Sequence, residues 1–192
     1  DNSCNIVANM ALGDVTVLDA TGASISLGSV WEERDAIVIF VRHFACAGCR
    51  SHLAELRPRL TELEALGVGV VIIGSGSPAQ LATFVAEQQL AGHPVSVYTD
   101  PELAAYRAAE LGRSWLGTIG PRALGNLAVL ALRGHNNGRA CGDLRQQGGT
   151  LYVRRGGEIL FAHRSQRLGD HAPVSEVVHI ALAARATDAG FA

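Results

Sequence analysis

Six apolar side chains follow one another at residues 36–41, AIVIFV, with no polar residue between them. A strand with one wet face alternates, so an unbroken, largely β-branched run predicts a strand over 36–42 that is buried on both faces of a sheet. Two more runs, VGVVIIG at 68–74 and PVSVYTD at 94–100, predict a second and a third strand. Between the first two the period changes. Leu53, Leu56, Leu60 and Leu63 recur every three or four residues, which predicts a helix from Cys46 onward that stops at Gly67. Pro58 lies inside it and has no N–H to give the carbonyl four residues back, but the leucine register continues across it. A kink near Ala54 to Pro58 is therefore expected rather than a break. A second helix, 77–90, has Ser77 as N-cap and Pro78 at its first position. Asp100-Pro101 opens a third, short one through Ala109.

The ends of the chain read differently. Asp14 to Leu18 and Ser24 to Leu27 form a predicted hairpin turning at Gly22. Residues 149–163 form another, turning at Gly156-Gly157, and a helix over 173–184 closes the chain. From Gly112 to Gly149 nine glycines surround one predicted helix, 121–132. This stretch is expected to be a cover beside the functional centre. Strands alternating with helices predict an α/β fold, a central mixed sheet flanked by helices. With no internal repeat and no linker, residues 1–192 read as a single domain, long enough to remove roughly 70% of its unfolded surface from water.

Charge removes several function classes. Net charge is −2, and no basic run is longer than Arg154-Arg155, so a nucleic-acid partner is not expected. All 16 basic residues are arginine. Without lysine there is no Schiff base, no pyridoxal phosphate enzyme and no P-loop. No apolar stretch approaches the ~18 residues of a membrane span, and the N-terminal ten residues lack a charged and an apolar region; cytoplasmic is the default expectation.

The chemistry gathers in HFACAGCRSH, residues 43–52. Cys46 and Cys49 form a C-x-x-C at the start of a helix that follows a buried strand, the context of thiol-disulfide exchange. A helix N-terminus with free N–H groups lowers the first thiol's pKa, and helical spacing puts the second sulfur just behind it. Cys46 is thus expected to be the exposed attacker and Cys49 the partly buried resolving thiol. Arg42, His43 and Arg50 bracket the pair, and no acid lies within eight residues of Cys46. His43, Cys46, Cys49 and His52, three apart, also match zinc ligands in type. Positions 43 and 52 could not share one ion if 46–52 is a single straight helix, since nine residues span well over 10 Å; a zinc site, or a non-catalytic module that only holds a partner, stays open as the alternative. Among the other groups, His163, His171 and His179 read as strand-end, turn and helix-surface residues. Cys141 reads as a loop cysteine, and nothing is assigned to Cys4.

The segments FVRHFACAGCRSHLAELRPRL, GVGVVIIG and DLRQQGGTLYVRRGGEILFAHRSQRLGDH together resemble the peroxiredoxin-like 2 family, of the alkyl hydroperoxide reductase and thiol-specific antioxidant group in the thioredoxin superfamily. The specific pieces are Phe44 to Arg50, Gln146-Gln147-Gly148-Gly149 and Gly169-Asp170-His171. The resemblance implies a thioredoxin-like fold and an oxidoreductase with Cys46 as nucleophile and Cys49 as resolving partner. It also implies no bound cofactor, a thioredoxin-like reductant, and a peroxide, endoperoxide or protein disulfide as substrate. Two departures stand out. Typical peroxiredoxins have Pro and Thr or Ser seven and three residues before the reactive cysteine, where this chain has Ile39 and His43. The strand opposite the site carries Gly148-Gly149-Thr150 in place of a cis-proline or an arginine, which leaves Arg145 as the nearest loop cation.

Overall fold

The computed structural model describes residues 11–114 and 145–189. Most of the glycine-rich stretch, with Cys141 and the helix expected at 121–132, lies outside the described residues, as does Cys4. Seven strands make one mixed sheet: β1 Thr16–Leu18, β2 Ser24–Ser26, β3 Ala36–Phe40, β4 Gly69–Gly74, β5 Val95–Thr99, β6 Gly149–Val153 and β7 Ile159–Arg164. They lie in the order β2-β1-β5-β4-β3-β6-β7. β3, β4 and β5 are parallel, and β6 runs antiparallel to β3. The helices are α1 Ala47–Leu56, α2 Leu60–Ala65, α3 Pro78–Glu87, α4 Ala104–Ala108 and α5 Val174–Ala189. None among the described residues is long and apolar enough to cross a membrane.

The lack of polar alternation in β3 has a simple cause. Ile37 and Ile39 enter a core with α1, α2, α3 and α5, while Ala36, Val38 and Phe40 enter a second core on the other face with Trp31, Tyr106 and Leu151. Every residue of the strand is claimed by one layer or the other. Pro58 acts as expected: α1 ends at Leu56, a 3-10 turn spans Arg57–Arg59, and α2 resumes at Leu60. Leu53, Leu56, Leu60 and Leu63 are all buried across that kink. Ser77 and Gln80 close a reciprocal capping box on α3.

The third helix is shorter than expected. The chain turns through Leu103 in the left-handed region before α4 begins at Ala104, and the Asp100 carboxylate caps it by accepting from the Ala105 N–H at 2.7 Å. At the entry to β3, Asp35 accepts from the Tyr152 hydroxyl at 2.7 Å and from the Arg155 N–H at 2.8 Å. At the exit, the Tyr106 hydroxyl donates to the Val41 carbonyl at 2.6 Å. Both ends of the central strand are thus anchored by hydroxyl groups from neighbouring elements.

Gly148 lies across the end of β3, and a Cβ added there would sit 2.3 Å from the Phe40 carbonyl oxygen. Backbone cannot retreat as a side chain can. Gly148→Ala is expected to cost at least about 2 kcal/mol in urea unfolding, whereas Gly112→Ala, with open space around it, should stay within about 0.5 kcal/mol of wild type.

Candidate active site

After β3 the chain crosses the end of the sheet and enters α1 with Cys46 as N-cap. The first amides of a helix have no partner within it. Here sulfur serves where an oxygen side chain is usual: Cys46 Sγ accepts from the Cys49 N–H at 3.4 Å. Ahead of the helix, the Arg42 N–H donates to Cys49 Sγ at 3.4 Å. Both thiols are free, and they approach one another to 3.0 Å. The expectation of an exposed Cys46 is corrected, because it is only 1% exposed. It belongs to the same apolar cluster as Ile39, Val41, Phe44 and Cys49, so α1 starts beneath the surface.

The two thiols are electrostatically unlike. Cys46 is lowered to about 7, chiefly by the hydrogen bond from Cys49, with the Arg42 guanidinium and the Cys49 and Gly48 amides acting in the same sense against burial. Cys49 is pushed well up, first by burial and then by its neighbour Cys46. One proton therefore leaves near neutral pH and the other stays. Arg42 itself is 1% exposed. Its Nε donates to the Gln146 carbonyl at 3.0 Å, and its own carbonyl accepts from Ser75 Oγ at 2.9 Å. Arg50 turns away to pair with Glu87 at 2.6 Å. Arg145, the loop cation suggested by the sequence, is exposed; the arginine acting on Cys46 is Arg42.

Three histidines surround this turn. His43 is buried, and its carbonyl accepts from the Cys46 N–H at 3.1 Å. Burial, helped by Arg42 and Arg50, lowers it to about 4 and keeps it neutral. His52 stacks on His171, with ring centroids 4.8 Å apart and planes within 6°. The pair lines a cavity of about 200 Å³ together with Gly48, Glu55 and Gly169. Reading His171 as a turn residue missed this. The segment 169–171 rests directly on the C-x-x-C turn, because a Cβ on Gly48 would lie 3.2 Å from the Gly169 nitrogen and 3.4 Å from His171 Nε2. Its signal was present in Gly169-Asp170-His171, although nothing there names His52 as the partner. His163 ends near Asp170 at 3.2 Å, and His179 is exposed on α5 as expected. Among the described residues no three His, Cys, Asp or Glu side chains are grouped to hold a metal ion.

A mixed sheet with two thiols at the start of the helix that follows its central parallel strand is the arrangement of a thioredoxin-like fold. The comparisons agree. The family model for AhpC/TSA antioxidant enzymes matches residues 55–167, and the chain belongs to that family. It is 32% identical over 183 residues to the Homo sapiens protein named peroxiredoxin-like 2C, covering 88% of this chain and 78% of that one. It is 31% identical over 163 residues to the Danio rerio prostamide/prostaglandin F synthase, covering 82% and 79%. In structure it resembles the bacterioferritin comigratory protein of Xanthomonas campestris, with a TM-score of 0.65, 14% identity, and 91% and 94% of the two chains covered. The chain is an enzyme of thiol oxidation and reduction.

The histidines at this turn fix a pH dependence. His43 at about 4, His171 lowered to about 3 by burial and then by His52, and His52 lowered chiefly by burial, all take up protons more readily once unfolded. The unfolded chain binds them near pH 6.5, so stability is complete above that pH and falls as pH drops towards 4 and 3. Each pH unit over which one such proton is bound only by the unfolded form costs about 1.4 kcal/mol. His171→Phe keeps a ring against His52 but does not titrate. Its urea-unfolding free energy should fall less steeply between pH 6 and pH 4 than that of wild type; equal slopes would exclude His171 as a contributor.

Proposed function

We propose that the chain reduces peroxides, endoperoxides or disulfides through Cys46 and Cys49 and is returned to the dithiol by a thioredoxin-like donor. The reading takes residues 1–192 as one domain, requires no bound cofactor, and rests above all on the asymmetry of the two thiols. With Cys46 at about 7, about half of it is thiolate at neutral pH, against roughly 3% of a thiol at the ordinary ~8.5. Cys49 keeps its proton, which suits a second nucleophile that must wait.

With a hydroperoxide, the Cys46 thiolate attacks the terminal oxygen and the O–O bond breaks. The alkoxide leaves as alcohol after taking a proton, and Cys46 becomes a sulfenic acid. Cys49 sulfur then attacks Cys46 sulfur, hydroxide leaves and takes up the Cys49 proton as water, and the disulfide forms. Two electrons from the donor dithiol restore the pair. With a disulfide substrate, the same thiolate displaces one sulfur and Cys49 resolves the mixed disulfide. The 3.0 Å approach of the two side chains supports this, since a disulfide bond of about 2.05 Å needs a shift on the order of 1 Å, without unwinding α1. An endoperoxide is included because it carries the same O–O bond.

His43 argues for an order among these substrates. It stands where a peroxide-orienting hydroxyl would, and it is neutral and buried. Loss of one such donor costs on the order of a hundredfold in other transition states. Hydrogen peroxide turnover is therefore expected to be slow relative to reduction of insulin disulfides with the same thioredoxin supply.

Cys46→Ser should abolish both activities. Cys49→Ser should stop after the first step, leaving on Cys46 a sulfenic acid that dimedone traps, visible by mass spectrometry of that peptide. Full turnover by Cys46→Ser, or dimedone labelling of Cys49 in place of Cys46, would reverse the assignment. Rapid, saturable peroxide consumption without disulfide reduction would reverse the substrate order.

A further inference from the structure

The motif Gln146-Gln147-Gly148-Gly149 has no part in the chemistry so far, yet it is more tightly held than a strand approach requires. Gln146 and Gln147 are each 1% exposed. Buried amides need partners, and those of Gln146 are main-chain carbonyls. Its Nε2 donates to Gly112 at 3.1 Å and to Gln147 at 2.9 Å. The Gln147 N–H donates to the Gly112 carbonyl at 3.0 Å, and Arg113 and Gln146 form an isolated antiparallel bridge. On the other side, Gly148 lies against the Phe40 carbonyl and Gly149 pairs with Phe40 in the sheet. The peptide at position 146 is thus fixed from two directions. One of those directions is the end of the strand from which Arg42 emerges two residues later.

We propose that Gln146 is a positioning residue for Cys46: its carbonyl aims the buried Arg42 guanidinium at the thiol pair, and the 146–149 strap keeps that carbonyl in place. The proposal rests on the reading that Cys46 is the attacking thiol. An arginine side chain has many rotamers, and a charge stabilises a thiolate only if it is held close in a medium of low dielectric. The acceptor supplied by Gln146 is a neutral carbonyl. That bond orients the guanidinium without cancelling its charge, as a carboxylate in the same place would. The guanidinium's effect on the thiols accords with this, since it favours the ionised form of both Cys46 and Cys49. Side-chain identity at 146 matters although the contact is made by backbone, because it is the Gln146 Nε2 that ties this peptide to Gly112 and Gln147.

The test is the pH profile of iodoacetamide labelling at Cys46, read by mass spectrometry of its peptide. It is run on the full chain as wild type, Gln146→Met, Arg42→Gln and the double variant. The expected wild-type midpoint is near 7. Gln146→Met should move it upward and lower the labelling rate at pH 6.5 about tenfold, the equivalent of one pH unit. In the Arg42→Gln background it should add nothing, because the residue it positions is gone. Tyr152→Phe removes a buried hydrogen bond at the far end of β3. It should lose stability while keeping the wild-type midpoint, which separates positioning from a general loosening. Gln146→Asn, whose amide is too short to reach Gly112, carries the same expectation should Gln146→Met fail to fold.

A wild-type midpoint near 7 that neither position-146 variant moves, or a shift of equal size with and without Arg42, would overturn the proposal and leave the functional reading standing. A wild-type midpoint near the ordinary ~8.5 would overturn both.

Discussion

A helix that begins beneath the protein surface must find acceptors for its first amides there, since water does not reach them. In this chain the Cys46 sulfur takes that part by accepting from the Cys49 amide, while the Cys49 sulfur accepts from the Arg42 amide ahead of the helix. A sulfur that receives N–H groups is a better acceptor when it is ionised, so the bonds that close the helix also favour thiolate at Cys46. Secondary structure and chemistry therefore rest on the same contacts.

Those contacts hold because the strand before them cannot move. β3 is shared residue by residue between two cores, and hydroxyl groups from Tyr152 and Tyr106 tie down its two ends. Past the strand, Ser75 takes the Arg42 carbonyl and Gln146 takes the Arg42 side chain. The residue between β3 and α1 is thus held through its amide, its carbonyl and its guanidinium at once. Burial of an arginine beside two thiols would be costly in isolation. Here the charge faces a group that can become its counter-charge.

Opposite the strap, the segment 169–171 seals the other side of the turn. Gly48 leaves room for the Gly169 backbone, and the His52–His171 stack fills the space behind it. Neutral imidazoles suit this place because two charged rings at 4.8 Å in a buried setting would repel. Cys46 itself is 1% exposed, so on the proposed reading a substrate reaches it only after some displacement of the surrounding chain.

Much of the frame was legible in the amino-acid order. Apolar runs without alternation marked β3 and β4, the β-prone segment 94–100 marked β5, the leucine spacing marked α1 and α2 through their kink, and Ser77-Pro78 marked the start of α3. Each is a local rule in which periodicity or capping chemistry needs no partner elsewhere. Cys46 and Cys49 were legible as a pair for the same reason, because spacing along one helix brings them together. What sequence could not supply was burial and pairing over long separations: that Cys46 lies under the surface, that Arg42 and not Arg145 acts on it, that His171 stacks on His52. Position 42 meets position 146 across the antiparallel pairing of β3 and β6, and position 52 meets position 171 where the chain enters α5. The sequence determined the elements and the thiol pair, whereas tertiary packing alone chose the charge, the carbonyl and the rings around them, because a sheet places side chains by strand order and not by distance along the chain.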